Sequence, residues 1–200
     1  MLGAFSVENA PSFVFLIQYA QFSRRIFVQF ATCKTPKFMV YYTHKRDNKR
    51  GFKMTKAIYF DMDGTIVDLY GVDNWLDYLI AGKTKPYREA RPLVNMRQLG
   101  QTLNALQRKG WHIGIISWLS KSGSEEYNEK VTAAKIKWLA KHLGAVHFDE
   151  IKIVKYGEPK QIVADFPSGI LFDDEKPNRD NWSGQAYDVD EIMTVLSAII

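Results

Sequence analysis

A single cysteine, Cys33, in 200 residues leaves no intramolecular disulfide and no thiolate metal cluster to consider. Such sparing use of thiols fits a reducing compartment, and a cytoplasmic location is the expectation. No apolar run approaches the roughly 18 residues that a membrane-spanning helix requires. Phe13-Val14-Phe15-Leu16-Ile17 is too short for a signal-peptide core, and no basic residue precedes it. The four histidines are scattered without metal-ligand spacing, which points to core or surface roles.

What is present divides unevenly along the chain. Residues 1–53 hold nine Lys and Arg against Glu8 and Asp47, a balance of +7 out of a whole-chain +5, so residues 54–200 carry −2. The basic character belongs to the leader, and a mildly acidic body argues against a long nucleic-acid track. The leader shows no clean period, capping pattern or repeat, and His44 to Lys53 reads as a solvated linker. The folded domain is expected to begin at Met54, directly before Thr55-Lys56 and the first good strand. Residues 1–53 are then a basic N-terminal extension, poorly ordered or a mis-assigned start. The rival reading is a tether for nucleic acid or anionic lipid.

From Met54 onward, strands alternate with helices, as in a parallel sheet covered on both faces. Strands are expected at about 56–61, 111–117, 150–155 and 169–173, with a weak fifth at 185–187. Glu125 to Leu143 reads as a long helix with Val131, Ala134, Ile136, Trp138, Leu139 and Leu143 on a broad apolar face, and Gly144 stops it. Asp188 with Glu191 forms a capping box before a last helix, whose Ile192, Leu196 and Ile199 face inward.

Asp61-Met62-Asp63-Gly64-Thr65 closes the first strand. Side chains two apart on a strand leave on the same side, so both carboxylates aim into one space. Two acids there repel each other unless a cation or a shared proton relieves them. Three more polar signals follow at or beyond later strand ends: Ser117, Lys160 and Asp173-Asp174. Open α/β sheets bind ligands at their carboxyl edge. Singly, each signal has an ordinary explanation as a turn, a cap or a surface charge. Four in sequence are hard to explain that way. Lys155 competes with Lys160, but the turn at Gly157-Glu158-Pro159 favours Lys160 on the first turn of a helix facing the site.

On these residues the chain resembles the haloacid dehalogenase-like (HAD) superfamily of aspartate-nucleophile phosphatases. That family's motifs are DxDGT after the first strand, Ser or Thr after the second, Lys before the fourth and an acidic pair after it. The resemblance covers residues 54–200 and is greatest to the 5'(3')-deoxyribonucleotidase-like branch and its phage relatives. It implies an α/β, Rossmann-like three-layer sandwich with a central parallel sheet of about five strands in the order 5-4-1-2-3. A small helical cap is expected at about 67–108.

The implied activity is Mg²⁺-dependent hydrolysis of a small-molecule phosphomonoester, nucleotidase-like in its substrate. Asp61 is the implied nucleophile, and Asp63 the acid that protonates the leaving alkoxide and later deprotonates water. Thr65, Ser117 and Lys160 are the implied phosphate contacts. Asp61, the backbone carbonyl of Asp63, and Asp174 are the implied Mg²⁺ ligands, with Asp173 supporting them from behind.

Roughly 45 residues between Thr65 and Trp111 exceed what the sheet requires. Asp73 is expected to cap a short helix through Trp75, Leu76, Leu79 and Ile80, and Leu93 to Lys109 reads as a second helix. Between them lies a basic, aromatic loop around Tyr87 and Arg88. Trp75, Tyr78, Tyr87 and Trp118 are candidates to stack a nucleobase, with Arg88 or Lys121 for a phosphate. Trp75 and Tyr78 are better read as anchors of the cap helix, whereas Trp118 follows Ser117 directly. A 3'-phosphatase acting on nucleic-acid ends and a non-catalytic phosphate-binding module remain open as alternatives.

Overall fold

The structure, a computed structural model, describes residues 56–200 together with the backbone of three strands between residues 16 and 39. The chain divides into two compact units, Met1–Phe52 and Lys53–Ile200. In the first, β1 (Leu16–Tyr19), β2 (Ile26–Thr32) and β3 (Thr35–Met39) pair antiparallel in that order. The sequence reading expects no strands there, because β2 carries apolar residues at both parities and shows no period of two. The expectation of a poorly ordered extension or mis-assigned start otherwise lies outside the described residues.

The second unit is built on β4 (Ala57–Phe60), whose four residues are all buried. Alternation sends Ile58 and Phe60 to one face of the sheet and Ala57 and Tyr59 to the other, and each face has its own core. After β4 the chain makes β5 (Val67–Asp68), α1 (Trp75–Ile80), α2 (Lys85–Glu89), β6 (Arg91–Pro92) and α3 (Met96–Arg108). Then follow β7 (His112–Trp118), α4 (Glu125–Leu143), β8 (Glu150–Val154), α5 (Lys160–Val163), β9 (Ile170–Phe172), α6 (Lys176–Asn181) and β10 (Gln185–Tyr187). A 3₁₀ turn at Val189–Glu191, closed by the Asp188/Glu191 capping box, leads into α7 (Ile192–Ile199).

The sheet is five-stranded and parallel, in the order β10-β9-β4-β7-β8. Counted along the chain, this is 5-4-1-2-3, the order implied by the resemblance. Leu99, Leu103 and Leu106 of α3, Trp138, Leu139 and Leu143 of α4, and Ile192 and Leu196 of α7 cover the Ile58/Phe60 face. Ala164 and Trp182, which follow α5 and α6, pack on the Tyr59 face. The chain first steps outward from β4 to β7 and β8, then returns to lay β9 and β10 on the other side. Right-handed crossovers therefore put the two helix layers on opposite faces. The strand order reverses at β4, so a crevice opens at its carboxyl end between β7 and β9. Gly114 is required on β7, because a Cβ there would collide with the Tyr59 ring.

The cap differs in detail from the expectation. Asp73 does not cap α1; Asn74 precedes it in a left-handed conformation with φ 54° and makes no side-chain cap bond. Leu76 and Ile80 are 51 % and 77 % exposed, so α1 presents apolar residues to solvent instead of burying them. The basic loop contains α2, started by Pro86 in its first turn, where the missing N–H costs nothing. Buried Tyr87 of α2 joins Leu69, Tyr127, Val131 and Ala134 in a third cluster that fastens the cap to α4. Among the described residues no helix is long and apolar enough to cross a membrane.

Candidate active site

Asp61 continues β4, its N–H donating to Phe172 O at 2.9 Å, which places it beside the end of β9. The next residues turn tightly around the Met62 carbonyl, which accepts the N–H groups of Thr65, Ile66 and Val67 at 3.2, 3.0 and 2.8 Å. Gly64 stands in this turn at φ 81°, and a Cβ there would strike the Asp174 carboxylate and the Tyr70 ring. Both the conformation and the space demand glycine.

Lys160 joins the two acidic strand ends. Its Nζ lies 2.7 Å from Asp61 Oδ1 and 2.6 Å from Asp173 Oδ2, and the residue is only 2 % exposed. Burial would lower the ammonium's pKa, but Asp61 and Asp173 outweigh it and raise the value. Lys155 is exposed and holds no such position. Asp173 accepts further bonds from Glu175 N–H at 3.0 Å and from Asn178 Nδ2 at 3.1 and 3.2 Å, so it is held rigidly. Its carboxyl is nevertheless pushed up, by burial first and then by Asp61, against the pull of Lys160.

Thr65 and Ser117 are placed differently from the expected phosphate contacts. Thr65 is fully buried; its hydroxyl donates to Asp174 Oδ1 at 3.1 Å and accepts from Asp174 N–H at 3.0 Å. Ser117 is also fully buried, and its Oγ accepts from Lys135 at 2.9 Å. Neither lines the cavity of about 690 Å³ that opens over Asp61, Asp63, Lys160, Asp173 and Asp174. Both hydroxyls brace a charged neighbour instead.

Trp118 and Tyr87 do line this cavity, whereas Arg88 is exposed on α2 and outside its wall. Tyr87 is 3 % exposed and packs as part of the floor, leaving little of its ring to stack on a ligand. Trp118 is fixed by an indole N–H donated to Glu158 O at 2.8 Å, with the Lys160 ammonium 5.0 Å from its ring and Tyr156 5.0 Å away, tilted by 52°. Tyr70 and Trp75, which line the same cavity, form an edge-on pair at 5.0 Å, and the exposed Leu76 and Ile80 line it too. Trp75, read as an anchor, therefore borders the cavity, while Tyr78 lies outside its wall and accepts a hydrogen bond from Lys85 at 3.1 Å.

Sequence reasoning missed Lys135. It is 1 % exposed, inside the apolar seam of α4, and its Nζ contacts Asp63 Oδ2 at 2.6 Å, Ser117 Oγ at 2.9 Å and Trp118 O at 2.6 Å. The signal was available: Lys135 follows Val131 by four residues and precedes Leu139 by four, which puts it on the buried stripe. Ile136, expected on that stripe, is 46 % exposed. Arg179 was missed too; it donates to the carbonyls of Asp173 and Asp174 at 2.6 and 2.7 Å and ties the acidic loop to α6.

Four carboxylates (Asp61, Asp63, Asp173, Asp174) face two ammonium groups (Lys135, Lys160), an excess of two negative charges. Burial, Asp61 and Asp173, in that order, push Asp174 up to about 7, although the Thr65 hydrogen bond opposes the rise. One divalent cation would balance that excess, and the donor set is all hard oxygen, which suits Mg²⁺. Among the described residues no group of three or more acidic, His or Cys side chains is placed to hold a metal. The expected set needs only two carboxylates, Asp61 and Asp174, with one backbone carbonyl at Asp63 and water for the rest, so the residues present fit the ion.

A pH dependence follows for the metal-free protein. A carboxyl whose folded pKa of about 7 exceeds its unfolded value of about 3.9 contributes stability below pH 4 and loses it as pH rises through 7. Asp174→Asn should therefore raise the melting temperature of the metal-free protein at pH 8, with the gain shrinking towards pH 4. Mg²⁺ should stabilise the wild type more at pH 8 than at pH 5.5, because protons compete for Asp174 at the lower pH. Thermal melts across this range check both; a difference independent of pH would contradict the assignment.

No protein-family model matches the chain, and no curated protein matches it. Among solved structures, D,D-heptose 1,7-bisphosphate phosphatase from Burkholderia thailandensis is similar at 14 % identity and a TM-score of 0.42, covering 72 % of this chain and 85 % of its own. D,D-heptose 1,7-bisphosphate phosphatase from B. bronchiseptica, complexed with magnesium and phosphate, is similar at 14 % identity and a TM-score of 0.38, covering 62 % of this chain and 73 % of its own.

Proposed function

We propose that residues 54–200 form a HAD-like, Mg²⁺-dependent phosphomonoesterase that works through an aspartyl-phosphate on Asp61. One observation carries this reading. Asp61 and Asp63, two residues apart at the end of the central strand, enter one cavity together, with Asp61 paired to a buried lysine and Asp63 Oδ1 buried without a hydrogen-bond partner. Both carboxylates are ion-paired, Asp61 to Lys160 and Asp63 to Lys135, but Asp63 keeps one oxygen without a partner, which suits an acid beside a nucleophile.

In the first step an Asp61 oxygen bonds to phosphorus, the phosphorus–oxygen bond to the leaving group breaks, and the departing oxygen takes a proton from Asp63. Burial, with Asp61 close by, raises the Asp63 pKa against the pull of Lys135, which favours the protonated form this step needs. In the second step water attacks phosphorus, giving its proton to Asp63 and freeing Asp61 and inorganic phosphate. Lys160 keeps Asp61 aligned and offsets the charge that gathers on the phosphoryl oxygens. Mg²⁺, held by Asp61, Asp174 and the Asp63 carbonyl, would supply further charge neutralisation at the phosphoryl group.

The substrate in this reading is a nucleotide or a similar small aromatic phosphoester. Two aromatic pairs, Trp118 with Tyr156 and Tyr70 with Trp75, line the same cavity as the acids, and aromatic walls suit a planar leaving group. The test is a panel of nucleoside monophosphates and sugar phosphates, assayed by phosphate release with Mg²⁺ and with chelator. The expected result is chelator-sensitive release, with nucleotides preferred by kcat/KM. Sugar phosphates preferred over every nucleotide would reject the substrate class, and no release from any compound would reject the phosphatase.

A further inference from the structure

We propose that Lys135 is a positioning residue for Asp63, holding its carboxyl through Oδ2 in the orientation that serves the leaving group. The inference rests on the phosphatase reading above and assigns a task to a residue which that reading leaves idle.

A lysine ammonium has three N–H donors and no acceptor. Those of Lys135 are committed to Asp63 Oδ2, Ser117 Oγ and Trp118 O, at 2.6, 2.9 and 2.6 Å. With all three engaged inside the protein, Lys135 has none to offer a substrate, and its effect must pass through these partners. The contact also has a direction. A donor facing Oδ2 obliges that oxygen to accept, while Oδ1 is buried with no hydrogen-bond partner, so the hold on this carboxyl comes through Oδ2.

The clamp is rigid. Ser117 and Trp118 end β7, which is hydrogen-bonded to β4, and Tyr87 lies beneath with its ring 5.3 Å from the ammonium. The carboxyl of Asp63 is thereby tied to the neighbouring strand rather than left to turn on its own loop. The other two partners cannot supply this control alone: Ser117 Oγ and Trp118 O do not contact Asp63 except through Lys135 in the bonds described.

The test compares kcat/KM for p-nitrophenyl phosphate, whose leaving group needs little protonation, with that for β-glycerophosphate, an alkyl ester that needs it. kcat/KM runs only to formation of the aspartyl-phosphate, so it isolates protonation of the leaving group. General acid catalysis is worth about 10²–10⁴-fold. Lys135→Met should therefore lose on the order of 100-fold or more on the alkyl ester and only a few-fold on the aryl ester, with Lys135→Arg recovering part of the loss. A merely structural role predicts equal losses on both esters, and that result overturns the proposal. Asp63→Asn combined with Lys135→Met removes both charges and guards against a folding defect. It should be no slower on the alkyl ester than Asp63→Asn alone; multiplying losses would place the action of Lys135 elsewhere. Absence of hydrolysis of both esters by the wild type would instead overturn the phosphatase reading, and this inference with it.

Discussion

Asp61→Asn is expected to lower phosphomonoester hydrolysis by on the order of 10⁵-fold or more, the scale at which an enzyme loses its covalent nucleophile. The amide is nearly isosteric and its oxygen still accepts from Lys160, so geometry is kept while the attacking carboxylate is lost. Stability should move the other way. Asp61 is a source of the upward pressure on Asp63, Asp173 and Asp174, and removing its charge relieves a cluster that holds two more negative than positive groups. In the absence of Mg²⁺ the variant should melt at or above the wild-type temperature. Activity and melting measured on one preparation separate lost chemistry from lost fold. A variant that is both inactive and much less stable would leave Asp61 a structural residue.

Lys160→Met is expected to damage both properties. Its ammonium is the shared partner of Asp61 and Asp173, at 2.7 and 2.6 Å, and it is 2 % exposed. Removing one partner from a buried ion pair costs about 3–5 kcal/mol, because the remaining charge is left buried and uncompensated. In a domain of this size that corresponds to a fall in melting temperature of roughly 6–20 °C. Here two carboxylates are abandoned at once, so the penalty should shrink as pH falls and they take up protons. Added Mg²⁺ should recover part of the lost stability by neutralising Asp61, but less of the effect at Asp173, whose carboxylate is fully buried and bonded to Asn178 and the Glu175 N–H. Melts at pH 5 and pH 8, with and without Mg²⁺, read these effects, together with an activity loss of at least about 10²-fold from the missing electrostatic stabilisation. A melting temperature unchanged at pH 8 would contradict the charge accounting of the site.

The sheet was legible chiefly because β4, β7 and β9 are short apolar runs, each followed at its end by a polar or turn residue. Alternating helices leave a parallel arrangement as the economical solution. Helix α4 was legible for a different reason: Val131, Ala134, Trp138, Leu139 and Leu143 recur on one buried face, and Gly144 follows its last residue. The cap was read less well. Leu76 and Ile80 recur at helical spacing, which normally signals a buried face, but α1 borders a cavity and its apolar side is left exposed. Spacing identifies the face without saying what covers it. Lys135 was overlooked for the complementary reason, since a lysine on a long helix is usually a solvated charge, and only its register with Val131 and Leu139 betrays a buried position.

The site hydroxyls mark another boundary of what a sequence conveys. Ser117 and Thr65 were recognisable as groups at the ends of strands, yet the direction in which each hydroxyl bonds depends on residues 18 and 109 positions away. Lys160 was easier, because Gly157 at φ 80° and Pro159 at the helix start leave few ways to continue the chain. Turn chemistry is local and reads directly; charge pairing across the crevice is not.

The most direct test of the central claim is chemical trapping of the intermediate. Wild-type protein mixed with Mg²⁺ and an active phosphomonoester, quenched in acid during turnover and treated with borohydride, should carry homoserine at position 61 in its peptide map. Unquenched protein should not. Turnover by the wild type with no modification at position 61, or with the label on another residue, would contradict an aspartyl-phosphate on Asp61.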